Sequence, residues 1–286
     1  MLSWQVGKVK ITRVVEMEVA VPYDPKHPFL IGATPEELQR VPWLYPSFVD
    51  EKHQLKLSFH ALLVDAPGLR LVVDTCFGND KPRHVLGGEP LATPFLRDFE
   101  AAGWSRETVQ AVLCTHLHVD HVGWNTMLVD GRWTPTFPNA RYIFGREEFS
   151  HWREHGDDEQ RQILADSVEP IFEAGLAFLA PMDHVLSNEV RLTPSAGHTP
   201  GHVSVLIESE GQRAVITGDM AHHPCQFAHP EWYSSFDFDG QASTHTRNRM
   251  FSGWAREEIL VIGTHFAGPT AGRVRNDGDV YRFDVR

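Results

Sequence analysis

The sequence predicts an α/β chain in which two β-rich layers carry helices on their outer faces. Two observations predict it: apolar strands come first in pairs and then alternate with helical segments, and that order occurs once in each half of the chain. A third sets its bounds. Hydrophobic residues make up 42% of the chain, with 17 Phe, against 22% charged, which is apolar surface enough for a buried core. No repeat, low-complexity tract or long linker interrupts it, so residues 1–286 read as one domain.

The opening residues, MLSWQVGKVKITRVVEMEV, alternate apolar and polar like a strand and lack the apolar centre and cleavage site of a signal peptide. A Pro- and aromatic-rich excursion follows at about residues 18–56, centred on Val21–Tyr45. Inside it, Thr34-Pro35-Glu36-Glu37 starts a short helix: a Thr cap, Pro first and Glu third. An excursion of this length covers a site, meets a second subunit, or is a surface loop packed by its own aromatics. A homodimer is the expectation if it is exchanged between chains.

SFHALLVD and LRLVVDTC read as strands joined into a hairpin at Ala66-Pro67-Gly68. Thr93-Pro94 opens a helix with Phe95, Leu96 and Phe99 on one face, and Gly103 closes it. Ala111–Cys114 and Arg141–Phe144 are strands, and 146–172 is mainly helical with breaks near Gly156 and Pro170. Val203–Ile207 pairs with Arg213–Thr217 around Glu210-Gly211. A helix at Gln241–Arg256, a strand at Ile259–Gly263 and a short last strand complete the chain.

A formal charge of −12 disfavours nucleic acid, whose binding relies on basic patches to displace counterions. No apolar run approaches the ~20 residues that span a bilayer, so no membrane contact is expected. Three cysteines, far apart and odd in number, fit a reducing compartment, and the expected location is the cytoplasm. A small molecule is the expected partner.

Chemistry concentrates in THLHVDH at Thr115–His121. His116 and His118 are two apart, so on an extended backbone both leave from one face while Leu117 and Val119 point to the core. Asp120 and His121 follow where a turn redirects them to an adjacent position. The spacing offers ligands for two neighbouring cations. Three further segments add to it: AGHTPGH presents His198, TGD ends the strand AVIT with Asp219, and GTH ends ILVI with His265. Each lies on a loop at a strand's end, where rigid scaffolds carry their sites. Imidazole and carboxylate without thiolate suit Zn, with Mn or Fe as alternatives.

The order HxHxDH, GHTPGH, GD, TH resembles the metallo-β-lactamase superfamily over roughly residues 55–270. The resemblance implies an αβ/βα four-layer sandwich. It implies one metal on His116, His118 and His198, a second on Asp120, His121 and His265, and Asp219 bridging the two. A carboxylate at 219 sides with the dinuclear hydrolases. The activity implied is opening of a lactone, or cleavage of a related ester, by a hydroxide shared between the metals, with Asp120 and His222 as catalytic residues. His222 stands where acyl-homoserine lactonases typically carry a Tyr, a departure that weakens the acyl-homoserine assignment, and its catalytic role is read from an imidazole's capacity to donate to an oxyanion. Asp74 is expected to support the ligand loop and His202 to be structural. Cys114 reads as a core residue, and Cys76, in DTCFGND, as packing beside the site.

The stretch HPCQFAHPEWYSSFDFD also looks like part of methyl parathion hydrolase and its relatives, which makes phosphotriester or aryl-ester hydrolysis the alternative. Trp124, Phe149, Trp152, Phe227 and Trp232 are the candidates for an aromatic pocket wall. A thioesterase of the glyoxalase II kind is disfavoured by the ~20 residues left after His265. Flavin-coupled oxygen reduction lacks room for its second domain. The non-enzyme alternative is a metal-dependent binding or sensing protein.

Overall fold

The computed structural model describes residues 1–285. The first hairpin pairs β1 (Ser3–Val6) with β2 (Val9–Val21), splitting the single strand expected there at Gly7, whose φ of +55° suits the turn. The excursion then carries α1 (Pro35–Gln39), whose Glu37 N–H donates to the Thr34 hydroxyl as the cap pattern requires. Next come β3 (Leu55–Ala66), β4 (Leu69–Val73), α2 (Phe95–Ala101), β5 (Ala111–Leu113), a separate hairpin of β6 (Thr126–Val129) and β7 (Arg132–Pro135), and β8 (Arg141–Gly145). The long helical stretch is three pieces: α3 (Arg146–His155), α4 (Asp158–Ser167) and α5 (Glu169–Glu173), broken where Gly156 and Pro170 predict. The remainder is β9 (Ala177–Ala180), β10 (Val190–Pro194), β11 (Val203–Ser209), β12 (Gln212–Ile216), α6 (Cys225–Ala228), α7 (Gly240–Glu257), β13 (Leu260–Ile262), β14 (Ala271–Asp277) and β15 (Val280–Asp284).

One sheet has the order β1-β2-β3-β4-β5-β8-β9 and the other β10-β11-β12-β13-β14-β15. Alternation along the strands shows how they stack. Leu62, Val64, Leu71, Val73 and Leu113 of the first sheet share a core with Val203, Val205, Ile207 and Ile216 of the second. Their sequence neighbours Leu63, Val72 and Val112 face the other way, onto Phe95, Phe149 and Ile163 of the helices. On the far side, Val215 and Val261 pack with Phe227 and Phe251, and Leu38, Leu44 and Phe48 of the excursion join them. Three apolar cores separated by two sheets make four layers, helices–sheet–sheet–helices. Among the described residues no helix is long and apolar enough to cross a membrane.

Two parallel pairs position the site. β4 runs parallel to β5, and β12 runs parallel to β13. Asp74, the loop from Thr115, Asp219 and His265 all follow the C-terminal ends of these four strands. A bulge between Val15 and Met17 turns Glu16 inward. There its carboxylate accepts from Phe77 N, Gly78 N and Trp124 Nε1, and so ties the loop after β4 to the residues just past His121.

Candidate metal centre

All seven residues singled out as ligands meet at the floor of one cleft. His116, His118 and His198 form one cluster, and Asp120, His121, Asp219 and His265 a second, each with its ligand atoms within 4.8 Å of one another. In the first, His198 Nε2 lies 2.8 Å from His118 Nδ1 and 3.2 Å from His116 Nε2. In the second, His265 Nε2 lies 3.3 Å from His121 Nε2 and 3.1 Å from Asp219 Oδ2. Asp219 stands between them. Its Oδ2 is 3.3 Å from His121, 3.6 Å from His198 and 3.9 Å from His116, while its buried Oδ1 has no hydrogen-bond partner.

These residues fit metal ions better than they fit one another. His198 Nδ1 is 2.8 Å from Asp237 Oδ1, so that nitrogen carries the proton and Nε2 presents a lone pair. The lone pair faces two further ring nitrogens, and the network leaves few protons to fill the gap. Ligand atoms about 2.0–2.1 Å from a tetrahedral zinc lie roughly 3.3 Å apart, close to the spacing seen.

Each support has a local cause. Asp74, in the left-handed region at φ +56°, accepts from Thr115 N (2.8 Å) and Thr115 Oγ1 (3.0 Å). Its Oδ2 is also 3.0 Å from His121 Nδ1, an ion-pair contact. His202 is structural: its Nε2 accepts from Asp219 N at 2.8 Å and its Nδ1 meets Ser195 Oγ at 2.8 Å. Gly218 lets that imidazole close on the backbone, since a Cβ there would lie 2.5 Å from His202 Nε2. His223 Nε2 meets Phe48 O at 2.7 Å and ties the excursion down. His222 does reach the centre, its Nε2 3.2 Å from Asp219 Oδ2.

Electrostatics divide the two clusters. Burial drives His116 well below its ordinary value, His118 to about 3 and His198 to about 4, so these imidazoles are neutral. Burial opposes charge on His121 and His265 as well, but Asp219 and Asp120 overcome it and both are raised. Asp219 is likewise opposed by burial, yet His121, His265 and His222 hold it well below the carboxylate range. The Cys76, Cys114 and Cys225 thiols are all buried and pushed up by desolvation, which leaves none as a nucleophile.

Above the floor lies a cavity of about 480 Å³. Its aromatic wall corrects the expectation. Of the five aromatics proposed, Trp152 lines it, joined by Phe29, Phe59, Phe77 and Phe236. Trp124 is engaged by Glu16 and stacks on Phe95, and Phe149 stacks on Phe172. Phe227 stacks on Phe283 and Trp232 on His229. Among the described residues no Lys or Arg lines the cavity, and the acids Asp157 and Glu159 stand at the exposed rim. Asp237, which backs His198, was not singled out from sequence. Its only signal was membership of the quoted FDFD stretch.

The sequence profile of the metallo-β-lactamase superfamily matches residues 60–265, and the chain belongs to that superfamily. A probable metallo-hydrolase of Mycobacterium tuberculosis is 27% identical over 193 residues, 59% of this chain and 58% of that one. An N-acyl homoserine lactonase of a Bacillus species is 26% identical over 136 residues, 47% and 48% of the two chains. The chain thus spans about half the length of the curated relatives it matches. The fold is shared with the hydrolase AbOPH at a TM-score of 0.81 and 22% identity, covering 99% of this chain and 97% of the other. It is shared too with AidC, a dizinc quorum-quenching lactonase, at 0.79 and 19%, covering 99% and 96%.

Proposed function

We propose that this chain is a metal-dependent hydrolase that opens lactones or cleaves related esters at a centre holding two divalent cations, zinc foremost. The observation that carries the reading is the pair of ligand clusters, with Asp219 of the second standing 3.6 Å from His198 of the first, beneath an apolar cavity. His116, His118 and His198 would hold one ion, Asp120, His121 and His265 the other, with Asp219 between. Bound there, two such ions supply Lewis-acid polarisation of an ester carbonyl and a water acidic enough to ionise near neutral pH.

The chain's own residues do the rest. Phe29, Trp152 and Phe236 give the apolar part of a substrate a dry wall. The acidic rim of Asp157 and Glu159 favours uncharged substrates over carboxylates. His222 lies edge-on to Phe29 beside Asp219, where an imidazole N–H can donate to the carbonyl oxygen as it gains charge. Asp120, whose side chain is 15% exposed against 4% for Asp219, is the carboxylate placed to take the proton that the attacking water gives up and to pass it to the departing oxygen.

Phosphotriester or aryl-ester hydrolysis is the second reading, favoured by the aromatic wall. Turnover of matched lactone and phosphotriester panels by zinc-loaded protein separates them, and inactivity on both rejects the assignment. His222→Phe should lower kcat by about a hundredfold with metal content and KM held. An unchanged kcat removes His222 from the chemistry.

A further inference from the structure

Glu148 occupies the third position of α3, a helix that begins at Gly145 with no side-chain cap. An acid at that position ordinarily reaches back to cap the helix or simply complements its dipole. This one is fully buried. Oε1 accepts from Leu117 N at 3.1 Å and from Trp152 Nε1 at 2.6 Å, and Oε2 accepts from Gly201 N at 3.0 Å.

The partners matter more than their number. Leu117 stands between His116 and His118, and Gly201 lies three residues after His198. One carboxylate therefore joins the two loops that bring all three imidazoles of the first cluster. Trp152 belongs to the same corner, with its ring 5.4 Å from that of His118 and its face on the cavity. Gly201 explains why the motif GHTPGH carries its second glycine: a Cβ there would lie 2.3 Å from Glu148 N and 2.6 Å from Glu148 Cα. Helix and loop are in direct contact. The second cluster has other supports, with Asp74 at His121 and the Ser58 carbonyl 3.3 Å from His265 Nδ1.

We propose that Glu148 is the positioning residue of the three-imidazole corner. It holds the His116–His118 loop and the His198 loop at the separation where their ring nitrogens meet, and it aligns Trp152 on the cavity side of the same corner. The inference rests on the reading of the centre as a metal site. An amide in its place keeps one acceptor oxygen but turns an NH₂ toward an N–H that needs an acceptor. Donor then meets donor, and one loop must move.

The test uses full-length, zinc-loaded protein, with zinc per chain counted at each step of a chelator titration. Glu147→Gln, an exposed neighbour, should release zinc as wild type does. Glu148→Gln should give up one equivalent about ten- to a hundredfold more readily, the range for groups that orient a ligand, while the other keeps its wild-type affinity. Glu148→Asp, which retains both acceptors one methylene short, should recover part of the loss. A folded Glu148→Gln with both equivalents at wild-type affinity, or with both weakened equally, overturns the proposal even if its Tm falls. Should Glu148→Gln fail to fold, Glu148→Asp against wild type decides by the same outcomes. A wild-type protein that takes up no zinc overturns the metal-centre reading and the positioning role together. Equal loss of two bound equivalents overturns the positioning role alone.

Discussion

The two corners of the centre solve opposite problems. The corner of His116, His118 and His198 is all imidazole, and burial keeps each ring neutral with its lone pair available. The corner of Asp120, His121, Asp219 and His265 is half carboxylate, and its acids hold His121 and His265 above their ordinary values. Without a cation, protons take the place of positive charge in the second corner, while nothing does so in the first. The first corner must therefore be held in shape by its surroundings, and Glu148 and Asp237 do this. The second is drawn together partly by its own charges.

Asp219 stands between the corners, its Oδ2 3.3 Å from His121 and 3.6 Å from His198, so its loss breaks the comparison outright. Asp219→Ala should remove both metal equivalents and reduce kcat/KM by about a thousandfold, the several kcal/mol that cation polarisation supplies. Metal analysis beside steady-state kinetics checks this, and retention of both ions would show that the carboxylate is not the junction.

Asp237→Asn and Asp74→Asn sharpen the comparison, since each removes charge behind one imidazole. Each should weaken zinc by about ten- to a hundredfold, but at different equivalents, which stepwise dissociation resolves. Asp237 should show the larger effect. It is itself held at about 2 against burial, by His198 first and then by His222 and Arg247.

The metal-free protein should be acid-labile in a defined window. Burial holds His118 and His202 at about 3 and His198 and His223 at about 4, whereas unfolded imidazoles titrate near 6.5. Between those values the unfolded chain binds protons that the folded chain refuses, so stability falls as pH drops from about 6.5 toward 4. His121 and His265 act in the opposite sense. Their raised values add stability that is complete below the unfolded pKa and lost as pH rises through the folded ones. The neutral rings are the larger group, so Tm measured in chelator should decline on acidification. A flat profile would mean that these four rings are not held neutral in the folded chain, because the contribution of His121 and His265 is already constant below about pH 6.5.

The smallest effect is expected at Cys76. Its thiol is buried and pushed well above its ordinary value, chiefly by desolvation. Cys76→Ala should cost roughly 1 kcal/mol of stability, an ordinary figure for a single substitution, and leave turnover unchanged. Reduced turnover with a wild-type Tm would place the thiol in the chemistry instead.

How much was legible from residues alone differs between the ligands and their supports. His116, His118, Asp120 and His121 announce themselves by spacing, and Asp219 and His265 by ending apolar strands. Glu148 and Asp237 carry no such mark. Leu117 is 31 residues from Glu148 and His198 is 39 from Asp237, and nothing periodic links either pair. Glu148 reads as an ordinary first-turn acid. The helix breaks at Gly156 and Pro170 were readable because those residues act on their own backbone. The strands β9 and β10 were not, since AFLA and VRLTP are too short for a period to declare itself.

The sequence by itself determined the candidate donor residues, the strand ends that carry them and the layered α/β order, because these depend on local spacing and on alternation along a strand. Only the tertiary structure decided which aromatics face the cavity. Phe227 went to the core under the second sheet, while Phe29, from the excursion, crossed over to meet His222. It also decided which buried acids back which imidazoles. Both follow from how sheets and helices stack, and chemical identity at one position says nothing about the neighbour that stacking will bring.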